Sequence, residues 1–196
     1  MDVYCLPDNY SHRLNNAYFD DTSFKDEYQD DVYDAAEATL KENDFKSIVD
    51  IGTGSGFKLI KHFDKYDTFG IDLEPTVTFL RRQYPEKKWG GLHELPVDGR
   101  YDVFICSDVI EHIPEPNGFL EELLKYDFKK IVFSTPDKLH MYSGLQLGMP
   151  SNTAHVREWD MIEFNKYLSK YFVIEKHFKS NEGSNTQIAI CSKKII

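Results

Sequence analysis

The sequence predicts a doubly wound α/β domain. Its sheet has seven strands, mostly parallel, with helices on both faces and one antiparallel strand near the C-terminus. Three observations predict it. From Ser47 onward, short apolar runs alternate with stretches of helical periodicity, the mark of strand–helix–strand units and a parallel sheet. The first apolar run, Ile48 to Ile51, passes directly into a turn with Gly52, Gly54 and Gly56 at every second position, where the backbone can reverse sharply and a ligand can come close. The last two runs, Phe172–Ile174 and Ile188–Cys191, flank the polar stretch Ser180 to Thr186. That stretch reads as a hairpin loop, which requires one antiparallel strand.

Taken in order, residues 1–22 carry tyrosines, asparagines and acids without periodicity, and read as either a loosely packed arm or a lid; the core domain then spans 23–196. Ser23-x-x-Asp26 is a capping-box start, and Phe24, Tyr28, Val32, Ala36 and Leu40 give a helical stripe running to about Glu42. Tyr28 and Gln29 face the core, the surface or a ligand. Strand one is followed by a helix over Gly56–Phe63. Strand two covers Thr68–Asp72. Glu74-Pro75 opens the next helix, where proline's missing N–H costs little, and that helix ends before Pro85. Lys88-Trp89 is a short third strand. Val103–Cys106 is a continuous apolar run suited to a strand buried on both faces. Phe119, Leu120, Leu123 and Leu124 form a helix stripe, Ile131–Phe133 a fifth strand, and Glu158–Ser169 a further helix. The long connection Lys138 to Pro150 is a lid or binding loop, or else an extra helix on the sheet edge.

Composition narrows the function. A chain of 196 residues with 41% hydrophobic and 29% charged residues suits one soluble domain with a substantial core. A net charge of −10 argues against a phosphate-backbone partner and against an anionic membrane surface. No apolar run approaches the roughly 20 residues of a membrane helix, and the N-terminus lacks a signal-peptide pattern. Three cysteines, two of them inside apolar strands, suit a reducing cytoplasm. No Cys/His spacing resembles a zinc site, so no metal is expected.

In an open parallel sheet, ligands bind beyond the C-terminal strand ends. That rule gathers Asp50 to Gly56, Asp72, Ser107 to His112, and Ser134 to Asp137. Asp72 follows Gly52 by twenty residues, the distance at which an acid accepts ribose hydroxyls; it also suits an N-cap of the following helix. Asp50, just before the glycines, is ill placed for an anionic pyrophosphate. It suits a cationic ligand such as S-adenosylmethionine (SAM), which has a sulfonium, an ammonium and a ribose but no phosphate.

These residues resemble a family. Asp50-x-Gly52-x-Gly54-x-Gly56 is similar to motif I of the class I SAM-dependent methyltransferases, with their Rossmann-like fold, and Asp72 matches their ribose-binding acid. Tyr101 to Glu111-His112 resembles their fourth strand in a subgroup ending in Glu-His. Ile131 to Pro136 resembles the fifth strand, and His155-Val156-Arg157-Glu158-Trp159 a segment of small-molecule and glycan O-methyltransferases. The resemblance runs from about Tyr28 to the C-terminus. It implies SAM as cofactor and S-adenosylhomocysteine (SAH) as product. Gly52, Thr53 and Gly54 would pass under the ribose and methionine, near Gly56, Ser107 and Asp108. Asp50 would contact the ammonium through water or brace the turn. The adenine would lie between Leu73 and the segment Gly90–Pro96, which includes Leu92. Where relatives carry an acid this chain has Gly91, so a backbone carbonyl or His93 must take the adenine amino group.

Methyl transfer is an in-line displacement in which placing the acceptor supplies much of the rate. An oxygen acceptor must also lose a proton, which invites a base titrating near neutrality. His155 and His112 are the candidates. Arg157 would clamp an acidic substrate bidentately, or form a surface salt bridge, and His140 and Tyr142 sit in the long connection as further substrate contacts. The expected acceptor is a small molecule or a carbohydrate, methylated on oxygen. A SAM-binding module acting through a partner, and a nicotinamide-dependent oxidoreductase on the related fold, are the alternatives.

Overall fold

Val103, Phe104, Ile105 and Cys106 are all fully buried, because their strand lies in the middle of the sheet. A computed structural model describes residues 2–25, 28–141, 147–180 and 185–194, without the side chains of 140 and 141. The strands are β1 (Ser47–Ile51), β2 (Asp67–Ile71), β3 (Trp89–Gly90), β4 (Arg100–Ser107), β5 (Asp127–Pro136), β6 (Phe172–Lys179) and β7 (Thr186–Lys193). They form one sheet in the order β3-β2-β1-β4-β5-β7-β6. Pairing is parallel from β3 to β5, and β7 runs antiparallel to both β5 and β6. The chain order reverses at β1/β4, so their C-terminal ends open a crevice there.

The helices are α1 (Asp30–Glu42), α2 (Phe57–Phe63), α3 (Thr76–Gln83), α4 (Pro116–Leu123), the short α5 (Lys138–Met141) and α6 (Met161–Leu168). Side chains alternate across each strand, and two cores result. Ile48, Val103, Ile105 and Val132 meet Val32, Ala36 and Leu40 of α1 and Leu59 and Phe63 of α2. Val49, Phe104, Cys106 and Phe133 meet Leu120 and Leu123 of α4 and Phe164 and Leu168 of α6. All three cysteines are free and buried. Among the described residues no helix is long and apolar enough to cross a membrane.

Three sequence expectations are corrected. The first helix begins at Asp30 rather than near Ser23, because Gln29 takes a left-handed conformation (φ 74°) that no helix continues through; Tyr28 is exposed, and Asp26, the second member of the expected capping box with Ser23, lies outside the described residues. The late helix begins at Met161, not Glu158. Asp160 caps it, accepting from the N–H groups of Ile162 and Glu163, while Glu163 reaches back to the Asp160 N–H. The N-terminal arm is packed, though irregular. Cys5, Leu6 and Tyr10 belong to the second core, the Trp159 indole donates to the Tyr4 carbonyl at 2.9 Å, and the backbone N–H groups of Ser11, Arg13 and Ala17 donate to the carbonyls of Leu147, Val156 and Thr153.

Candidate active site

Backbone requirements shape the turn after β1. Gly52 and Gly54 both have positive φ (74° and 52°), which glycine alone adopts without strain. A Cβ on Gly52 would strike Val109, and one on Gly54 would strike the Asp21 carboxylate. Behind the turn, Asp50 is completely buried. One of its oxygens accepts from Tyr33 Oη and Thr53 Oγ1, each at 2.9 Å. The other has no hydrogen-bond partner among the described residues. Burial is the main reason its pKa rises to about 6, with the two hydrogen bonds pulling the other way. Asp50 therefore braces the turn and also holds an unmatched oxygen that would suit a cation.

Asp72 stands just past β2. One oxygen accepts from the Gly54 N–H at 2.8 Å and the other from the Leu73 N–H at 2.7 Å. The carboxylate thus ties strand two to the glycine turn, and each oxygen keeps a second lone pair. Burial raises its pKa. Leu73 is 71% exposed, and Leu92 lies half-buried in the 3₁₀ turn Leu92–Glu94, its carbonyl accepting from Tyr126 Oη. Asp21 of the arm sits against Gly54. Its pKa rises to about 6, first through burial and then through the charge of Asp72.

The ends of β4 and β5 carry the third group. Ser107 and Ser134 hydroxyls lie 3.2 Å apart. Asp108, at φ 51°, accepts from Ser134 Oγ at 2.6 Å and from Gln29 Nε2 at 2.9 Å; burial raises its pKa first of all. Glu111 is completely buried, with Thr135 Oγ1 donating to Oε2 at 3.1 Å and no partner on Oε1. Burial and then the Asp108 charge push its pKa well up. His112 and His155 meet edge-on, ring centroids 4.7 Å apart. His112 Nδ1 lies 2.9 Å from the Ala154 carbonyl, so it carries the ring proton and Nε2 the lone pair. Burial, then His155, lowers the His112 pKa to about 4. Phe19 of the arm stacks on His112 at 5.9 Å. His155 Nδ1 lies 2.6 Å from Glu158 Oε1.

A family model described as a methyltransferase domain matches residues 23–177. The chain belongs to that family. Solved methyltransferase structures share the fold at low identity. The SAH-bound magnesium protoporphyrin IX methyltransferase from Synechocystis PCC 6803 is 18% identical with a TM-score of 0.61, covering 84% of this chain and 83% of that one. The 1,6-didemethyltoxoflavin-N1-methyltransferase of Burkholderia thailandensis, holding 1,6-didemethyltoxoflavin and SAH, is 16% identical with a TM-score of 0.62, over 84% and 79%. The SAH-bound N-methyltransferase NodS of Bradyrhizobium japonicum WM9 is 10% identical with a TM-score of 0.60, over 83% and 85%. No curated protein matches the chain significantly.

Within this methyltransferase domain, Asp50, Gly52, Thr53, Gly54, Gly56, Asp72, Ser107 and Asp108 all fall at the C-terminal ends of β1, β2 and β4, and His112 and His155 pair beside them. Arg157 is placed elsewhere. It is 2% exposed, donates to the carbonyls of Ile113 and Pro114 at 2.8 Å each, and stacks its guanidinium 4.1 Å from the Tyr4 ring. It pins the turn after His112 and is neither a surface ion pair nor open to a substrate acid. Tyr142 and the side chain of His140 lie outside the described residues. Sequence reasoning missed Tyr33, Asp21 and Glu158, which no local pattern marks, and left Gln29 undecided between core, surface and ligand.

Proposed function

We propose that the protein transfers the methyl group of SAM to an oxygen of a small-molecule or carbohydrate acceptor, releasing SAH. The observation that carries this is the Asp72 carboxylate bridging the Gly54 and Leu73 N–H groups in front of a buried, half-satisfied Asp50. Two acids flanking the glycine turn disfavour a pyrophosphate. They favour a ligand that brings ribose hydroxyls to one and an ammonium toward the other. Family membership and the SAH-bound neighbours support the same cofactor.

In this reading the acceptor docks where Asp108, His112 and His155 converge. Its oxygen gives up a proton to an imidazole lone pair there, and the oxygen's electron pair forms the new bond to the methyl carbon. The C–S bond breaks in line, its electrons neutralise the sulfonium, and SAH leaves. Little else is needed beyond placement of the acceptor about 3 Å from the methyl carbon. Arg157 acts through position, since its two bonds to the Ile113 and Pro114 carbonyls fix the turn that carries His112. The arm, with Phe19 on His112 and Asp21 on Gly54, is the proposed lid.

Calorimetric titration of SAH into wild type and Asp72→Ala is the test. Micromolar binding weakened at least tenfold by the substitution, about 1.4 kcal/mol, is expected. Wild type that binds neither SAM nor SAH overturns the proposal. Tight binding with no transfer of labelled methyl to any acceptor pool would favour a binding module instead.

A further inference from the structure

Glu111, His112 and His155 each offer one ligand atom, and these atoms lie within 4.8 Å of one another. We propose that the three side chains form a binding site for a single divalent transition-metal ion, of the manganese-to-zinc group, at the acceptor end of the active site. Two imidazoles and one carboxylate are the donor set these ions take, and rotamer motion can draw donors at that spacing onto one ion.

The surroundings make the trio a site rather than a coincidence. A ligating histidine usually donates its other ring N–H to a carbonyl or carboxylate, which fixes the tautomer. Both histidines do so. His112 Nδ1 faces the Ala154 carbonyl at 2.9 Å, and His155 Nδ1 faces Glu158 at 2.6 Å. The Ala154 N–H holds Asn152 Oδ1 at 2.9 Å, so the Asn152 amide presents its N–H₂ to His155 Nε2, also at 2.9 Å. That nitrogen therefore carries a lone pair, and the amide donor holds the place of a Lewis acid on it. Asn152, half-buried in the connection before α6, must yield this contact when an ion binds.

The stronger pointer is unmet ligand capacity on buried acids. Glu111 is completely buried and its Oε1 has no partner; Glu158 is 1% exposed and its Oε2 has none either. Among the described residues no lysine or arginine pairs with Glu111 or Glu158, and Asp108 adds a third acid nearby. Burying carboxylates without a counter-charge is costly, and proteins normally pair such groups or place a metal on them. The other such trio, Asp34, Glu37 and His62, is a poor competitor. His62 is already within 3.5 Å of both Asp30 and Asp34, and Asp34 is exposed.

The metal site stands on these side chains alone, whereas its use in the reaction rests on the function proposed above. An ion there would bind the acceptor hydroxyl and lower its pKa, so that its proton could pass to bulk water while the imidazole lone pairs are held by the ion.

The experiment titrates Co²⁺ into protein stripped with chelator, followed by visible absorption and calorimetry. One equivalent should bind and give ligand-field bands. Glu111→Gln and His155→Gln should each weaken binding at least tenfold, while His62→Asn leaves it unchanged. A wild-type Kd weaker than about 1 mM, or affinity that survives both substitutions, or affinity lost in His62→Asn, overturns the site. Melting curves confirm that each variant is folded. SAH titrated into the same samples reports separately on the cofactor, so protein that binds Co²⁺ but not SAH keeps the metal site and loses the methyltransferase reading.

Discussion

Asp50 holds its charge at a cost. Completely buried, it has a pKa near 6 against 3.8 for a free aspartate. The sign follows from proton counting. Between about pH 4 and pH 6 the folded protein binds more protons at this site than the unfolded chain, so stability from Asp50 is lost as pH rises through that window. Asp50→Asn keeps the shape and an acceptor for Tyr33 or Thr53 but cannot ionise. Comparing the two proteins by urea unfolding at pH 4 and pH 7, the stability difference should move in favour of asparagine by about 3 kcal/mol as pH rises. A difference that does not change with pH would mean that Asp50 ionises freely in the fold. The same residue should make SAM binding tighten as pH rises through 6, because a cationic ligand favours the ionised form. The Asp72→Ala and Co²⁺ titrations test the neighbouring groups on the same scale, one residue at a time.

Among the elements, the arm departs most from its sequence. Leu6 is wholly buried against the core that includes Trp159 and Tyr167. Leu6→Ala should therefore cost about 2–5 kcal/mol in urea unfolding, the range for a core leucine; a cost under about 0.5 kcal/mol would make the arm a loose cover. Nothing in residues 1–22 announces this, because an irregular segment has no period to read. The sheet was legible for the opposite reason. β1 and β4 are apolar runs whose burial on both faces dictates their composition, and the glycine turn and Asp72 are local patterns with a backbone cause. Strand lengths were underestimated at β4 and β5, where the polar ends Arg100 and Asp127 pair in register but lack an apolar signal. Gln29 and Glu158 were misread as parts of helices. Their side chains are directed to Asp108 and His155, and such tertiary partners leave no trace in spacing. The same holds for Glu111 and His155, separated by α4, β5 and α5 in the chain and brought together only by the fold.

At the scale of the molecule, the strand order makes the site a junction. β2, β1, β4 and β5 end side by side, and the arm crosses those ends while bonding to the connection before α6. A ligand seated there touches elements from both halves of the chain, so its binding energy should be felt by the whole cooperative unit. SAH at one hundred times its Kd should add about 2.7 kcal/mol of stability, raising the melting temperature by roughly 5–10 °C for a domain of this size, in one transition. Hydrogen exchange locates the effect. The amides of Ser11, Arg13 and Ala17 donate to carbonyls at 147, 156 and 153, and as parts of the proposed lid they should gain protection together with Gly54, whose N–H is held by Asp72. A rise in melting temperature with protection at Gly54 alone would separate the arm from the ligand. It would leave the arm as a structural strap, with the site closed by some other segment.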